Sequence, residues 1–164
     1  MGRGPLGLRR DGLVPAMSKS SNQEVATPRE FLDAFEQRFG RIGFDLAANA
    51  DNKVVPFFYG PGSDLGEDSL REDWTLVREG PLWLNPPFKT IAPWARKAAG
   101  ESTHEPIAML VPAAVCTGWF VEHVAPFAYV FELTPRVFST QIRDCILAMF
   151  TPEGYVGRET WRWK

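Results

Sequence analysis

The stretch Leu-Trp-Leu-Asn-Pro-Pro-Phe, residues 82–88, joins a short apolar run to two adjacent prolines and an aromatic ring. Each proline lacks an N–H and fixes its own φ, so any strand must end there. Pro86 also holds the residue before it, Asn85, in an extended conformation. The product is a rigid loop aimed from the end of something buried, and its chemistry is that of acceptors. The side-chain oxygen of Asn85 and the carbonyl of Pro86 both accept hydrogen bonds, and no proline N–H competes beside them. Two acceptors at fixed separation suit the two hydrogens of a planar –NH2 group. Holding those hydrogens biases a conjugated amine toward pyramidal geometry and exposes its lone pair to an electrophile, for which a sulfonium methyl is the natural choice. Phe88 can stack on the ring that carries the amine, and Pro87 holds the turn. No general base is required, because the proton can leave after alkylation. The plainer alternative is a strand-end turn with a core phenylalanine, since four residues recur by chance.

Such a loop needs a scaffold, and the apolar spacing supplies one. Thr27, Pro28 and Glu30 form an N-cap, a first helical proline and a capping box. Phe31, Leu32, Phe35 and Phe39 then recur at helical spacing up to Gly40. "RIGFDLA" reads as a strand, "VVPFFYG" as a weaker one, and "LWL" as the short buried strand that delivers the loop. "TIAPWARKAAG" predicts a helix capped by Thr90. "PIAMLVP" predicts a buried strand and "TGWFVEHVA" a short helix. "FAYVFEL", "RVFST" and "DCILAMF" complete the strands. Strands alternating with helices imply a mainly parallel sheet covered on both faces, and the closely spaced last strands imply an antiparallel edge. Ligands in such sheets bind beyond the carboxyl ends of the strands, where Asn85 sits.

The chain has 164 residues, enough for one domain with a substantial core, and its 45% apolar and 23% charged content is ordinary for a globular protein. Residues 24–164 are expected to form that domain and residues 1–23 a disordered leader, with Met17 a second candidate start. No apolar stretch has the length of a membrane span. The formal charge of −2 excludes binding to nucleic acid by bulk charge, so any such contact must be local. Residues 80–164, with eight basic and seven acidic side chains, suit such a contact better than residues 24–79, with six and twelve. Cys116 and Cys145 are too few for a disulfide framework or a zinc site, and their apolar surroundings predict buried thiols in a reducing compartment. His104 and His123 show no ligand spacing, so no metal site is expected.

Several blocks in order carry a resemblance: "ATPREFLDAFEQRFG", "FDLAANADN", "VVPFFYG", "EDSLREDW", "LWLNPPF", "IAPWARKA", "AMLVPAAVCTGWF", "PRVF" and "DCILAMF". Over residues 25–150 the chain resembles the phage-type, Dam-like DNA N6-adenine methyltransferases, which use S-adenosylmethionine. The resemblance implies a single Rossmann-like α/β domain of the class I S-adenosylmethionine-dependent kind. It implies the catalytic role for Asn85, Pro86, Pro87 and Phe88. It assigns Thr27 and Pro28 to the cofactor pocket, where a helix N-terminus also suits a carboxylate. Asp45 is assigned near the methionine part of the cofactor, and Asp68 and Asp73 to the adenosine part. For Asp45 a turn role stays open, and for the other two that of solvated helix-end carboxylates. The chain departs from the family pattern in lacking a glycine-rich first motif, replaced by "FDLAANA", and in Val25 and Pro135.

Trp119 and Phe120 are candidate walls for a target base, with a core role equally open, and Arg136 and Arg143 are candidate phosphate contacts. "RETWRWK" joins charge and aromatics as nucleic-acid surfaces do, and a flexible tail accounts for it equally well. The implied partner is DNA at an adenine-containing site. No recognition domain is evident beyond loops at 60–66, 101–105 and 139–143. Extruding a paired base costs roughly a few kcal/mol, so single-stranded or distorted sites are expected to be favoured. The resemblance further implies action in a bacterial host's cytoplasm, in protection of phage DNA from restriction, by a monomer or homodimer. The same acceptor pair would also serve cytosine N4, an RNA base or a protein amide, and a non-catalytic DNA-binding module is the reading from another class.

Overall fold

The computed structural model describes residues 26–101, 103–140 and 143–164. The expected leader, 1–23, and Val25 lie outside them. One sheet of six strands organises these residues, in the spatial order β1-β2-β3-β5-β4-β6. The strands are β1 (Phe44–Asp45), β2 (Leu82–Leu84), β3 (Ile107–Pro112), β4 (Tyr129–Thr134), β5 (Cys145–Phe150) and β6 (Gly157–Arg162). β1, β2 and β3 pair in parallel, β4 pairs in parallel with β6, and only β5 runs against its neighbours.

Side chains alternate between the two faces of a strand, and here each face has its own helices. Leu82, Leu84, Ile107, Met109 and Val111 meet α2 (Ile91–Gly100) and α3 (Gly118–His123) through Ile91, Ala95, Ala98, Phe120 and Val124. Trp83, Ala108, Leu110 and Leu147 face the other way, onto Phe31, Leu32 and Phe35 of α1 (Arg29–Phe39). Each large apolar side chain buried in this way stabilises by about 1.5–3 kcal/mol. α1 stops at Gly40, whose φ of +98° a side-chain-bearing residue rarely adopts. The helices on both faces match the expectation from the sequence pattern.

Five local expectations are corrected. The antiparallel strand is interior rather than at an edge. All six residues of β5 are buried, so it needs partners on both sides, while β6 is charged and exposed apart from Trp161, as an edge strand can be. "RETWRWK" is therefore sheet and not tail, with Trp161 buried against Phe31, Phe39 and Phe131. "VVPFFYG" makes only a single bridge, Phe58 to Asp45, and "RVFST" is loop. Pro28 rather than Thr27 precedes the first turn of α1, and no side chain caps it.

Candidate active site at the carboxyl ends of the strands

β1 and β2 end side by side, in the register Phe44 with Leu82 and Asp45 with Trp83. The chain leaving β1 stays close, since Leu46 N–H donates to the Trp83 carbonyl at 2.7 Å and Ala48 N–H to that of Tyr59 at 3.1 Å. Between these ends lies a cavity of about 230 Å³. Its wall includes Thr27, Asp45, Asn49, Asn52, Tyr59, Asp68, Trp83, Asn85, Pro87 and Trp94. Gly60 belongs to the wall because the turn there has φ +137°, and a Cβ would lie 1.8 Å from the Ala48 carbonyl oxygen.

Asn85 follows β2 directly, as the two prolines require. Its Nδ2 donates to Thr27 Oγ1 at 3.3 Å. That contact turns the –NH2 end of the amide toward α1 and leaves Oδ1 as the end available to accept. Pro86 is buried, and among the described residues no donor is bonded to its carbonyl. Thr90 N–H closes the turn onto the Pro87 carbonyl at 3.0 Å. Phe88 is partly buried against both core clusters and lies outside the cavity wall.

Asp45 is 2% exposed. Its Oδ1 accepts from Ala47 N–H at 3.2 Å and its Oδ2 from Val54 N–H at 3.1 Å. No cation pairs with it among the described residues. Burial raises its pKa from 3.8 to about 6, against the lowering effect of the two backbone bonds. The described wall also holds Glu67 and Asp68, and neither lysine nor arginine. A ligand carrying positive charge suits such a cavity.

The other predicted positions divide. Asp68 reaches the wall, where its carboxylate also accepts from Leu70 N–H at 3.2 Å and pairs with Arg71. Asp73 does not reach it. Exposed, it caps the short 3-10 helix Trp74–Leu76 by accepting from Thr75 N–H at 2.9 Å, and those Thr75 bonds lower its pKa. Pro28 also stands off the wall. Phe120 is buried in the core, where α3 turns it onto the sheet, and Trp119 packs partly buried and edge-on to it at 5.9 Å. Arg136 is held by Asp144 at 2.6 Å. Arg143, without an ion pair among the described residues, lines a second cavity with Pro112, Ala113, Ala114 and Asp144 at the carboxyl end of β3. Cys145 is buried, and burial pushes its thiol up to about 12, whereas Cys116 is exposed, contrary to expectation. Among the described residues no helix is long and apolar enough to cross a membrane.

Sequence reasoning missed Trp83, Trp94, Tyr59, Asn49 and Asn52 as wall residues. Apolar pattern assigned the aromatics to core. The run Ala-Asn-Ala-Asp-Asn did carry a signal, since it folds on itself through the Asn49 and Asn52 side chains. Trp94 stacks at 25° on Trp74, whose indole is pinned to Ser69.

The family model described as DNA N-6-adenine-methyltransferase (Dam) matches residues 16–137, about three quarters of the chain. A protein of Escherichia phage T1 named DNA N-6-adenine-methyltransferase is 35% identical over 98 residues. Those residues are 59% of this chain and 39% of the phage protein, so the match spans well under half of that relative's length.

Proposed function

The chain belongs to the DNA N-6-adenine-methyltransferase (Dam) family, and on that premise we propose that it methylates the N6 amino group of adenine in DNA with S-adenosylmethionine. The observation that supports this best is the joint opening of Asn85 and an unpaired, buried Asp45 on one acidic cavity at the ends of neighbouring parallel strands. S-adenosylmethionine carries an ammonium and a sulfonium, so its charge fits a wall of three carboxyls. It supplies, when bound, a methyl group on cationic sulfur, the electrophile an amine lone pair can attack.

The chain's own residues do the rest. Asn85 Oδ1 and the Pro86 carbonyl accept the two hydrogens of the target amine and orient its lone pair away from both. Thr27 fixes which end of the Asn85 amide is presented. Phe88, partly exposed beside the loop, offers a ring for the base to stack on. Asp45 holds the ammonium of the amino-acid end, and Asp68 faces the adenosine end. Oxyanion-type donors are not needed, because charge on the reacting nitrogen becomes positive and acceptors stabilise it.

Transfer of a labelled methyl group from S-adenosylmethionine to unmethylated DNA, followed by nucleoside analysis, tests the reading. Label is expected in N6-methyladenine and is expected to fall at least about a hundredfold in Asn85→Ala. Label in another nucleoside corrects the substrate, and absence of S-adenosylmethionine binding overturns the reading.

A further inference from the structure

Three aromatic side chains belong to the described cavity wall, Tyr59, Trp83 and Trp94. Trp83 and Tyr59 are 1% and 9% exposed and pack into the core. Trp94, on α2, is half-buried, so it has the most surface of the three left for a ligand. It is also held in place. Trp94 stacks on Trp74 at 25° with centroids 6.3 Å apart, and Trp74 is fully buried. The Trp74 indole N–H donates to the Ser69 carbonyl at 3.0 Å and to its Oγ at 3.1 Å. Its backbone N–H donates to the Glu101 carboxylate at 2.9 Å, and the Lys97 ammonium, paired with Glu101, lies 5.0 Å from its ring centroid. Ser69 is itself a wall residue beside Asp68. One buried ring therefore ties Trp94 to the stretch of wall that holds Asp68. An aromatic surface fixed in advance loses little freedom when a flat ring is laid on it.

Resting on the function proposed above, we propose that Trp94 is the platform on which the cofactor's adenine ring stacks. Adenine is the only aromatic group of that cofactor, and stacking asks nothing of it but a flat π-face. The placement agrees with the adenosine end at Asp68 and leaves the amino-acid end at Asp45, beyond β1. Two other uses of the ring compete with this one. Trp94 is then either a seat for the sulfonium, as a cation over an indole, or only a cover for the core cluster against which it packs. Each predicts a different set of affinities.

The probes are S-adenosylmethionine, S-adenosylhomocysteine, which lacks the sulfonium, and 5′-methylthioadenosine, which lacks the amino-acid end as well. Calorimetry of Trp94→Leu, which keeps apolar bulk without a ring, is expected to show about a ten- to hundredfold loss of affinity for all three, the range for a base on an aromatic side chain. Trp94→Phe, which keeps a ring, is expected to recover most of that loss. In wild-type protein with ¹³C-labelled tryptophan, its ring resonances assigned through bonds, the carbon-bound adenine protons of S-adenosylhomocysteine are expected to give nuclear Overhauser effects to the Trp94 ring. A loss confined to S-adenosylmethionine overturns the assignment in favour of the sulfonium. A folded Trp94→Leu protein that binds all three within twofold of wild type overturns it in favour of the core role. So do equal losses in the two variants, or a saturated wild-type complex in which adenine shows no effect to Trp94. The wild-type complex decides the matter if Trp94→Leu fails to fold. Failure of wild type to bind S-adenosylmethionine and S-adenosylhomocysteine at all overturns the proposed function and the assignment with it.

Discussion

A carboxyl buried with no cation beside it should leave a mark on stability that pH can uncover. Asp45 titrates at about 6 in the folded chain against 3.8 as its ordinary value. The folded pKa lies above the unfolded one, so between those limits the native state binds the proton more tightly. Its contribution is therefore most favourable below pH 3.8 and declines as pH rises to 6, by about 3 kcal/mol at 1.36 kcal/mol per unit. Asp45→Asn removes the charge and with it this decline. The substitution has a fixed cost as well. Ala47 and Val54 each donate to a different oxygen of Asp45, and an amide can accept only one of those bonds, a loss of about 1–3 kcal/mol. The sign of the variant's effect at any single pH is thus set by two terms of similar size, while its change with pH is set by one. Urea unfolding of both proteins from pH 3.5 to 7.5, followed by tryptophan fluorescence, isolates that change. The difference should move in the variant's favour by about 3 kcal/mol across the window. A difference flat to within about 0.5 kcal/mol would refute the argument that burial governs Asp45. The proposed ligand supplies the missing cation, so wild-type affinity for S-adenosylhomocysteine should climb as pH passes through 6 and then level off.

Three further outcomes are expected. Thr27→Val removes the acceptor that orients Asn85, and kcat for methyl transfer should drop about tenfold, the rate equivalent of one lost hydrogen bond; Thr27→Ser should restore it, and equal rates for both variants would refute the orienting role. Trp161→Ala vacates a site 7% exposed among three other rings and should cost about 3–5 kcal/mol in chemical denaturation, which a flexible tail would not. Arg143→Ala should lower the slope of log K against log salt for DNA by about one, and Arg136→Ala by less because Asp144 already neutralises it; titrations at several salt concentrations separate the two.

What could be read in the residues follows a physical division. Elements whose apolar period is uninterrupted declare themselves, as in "PIAMLVP" and "DCILAMF", where burial on both faces leaves one solution. The placement of Asn85 was legible for a related reason: a proline pair terminates a strand wherever it occurs, so the residue before it must lie at the strand's end. Sheet order was not legible. The reversal of β5 between β3 and β4 depends on which strand needs two neighbours, a comparison among distant segments that periodicity within one segment does not contain. β6 was hidden because it carries charged residues and a single buried aromatic, Trp161, a composition that an exposed tail shares.

The cavity makes the same point at the level of single side chains. Asp45 and Asn85 stand out as polar residues at strand ends. Trp83, by contrast, sits inside the apolar run "LWL" and by pattern is core, which it is. Its other property, a place in the cavity wall, follows from its position beside Asp45 in the register of β1 and β2. Neither residue alone distinguishes a binding wall from a turn and a core ring. Together, in register across β1 and β2, they belong to one cavity wall, and that juxtaposition is a property of the strand pairing that neither segment carries by itself.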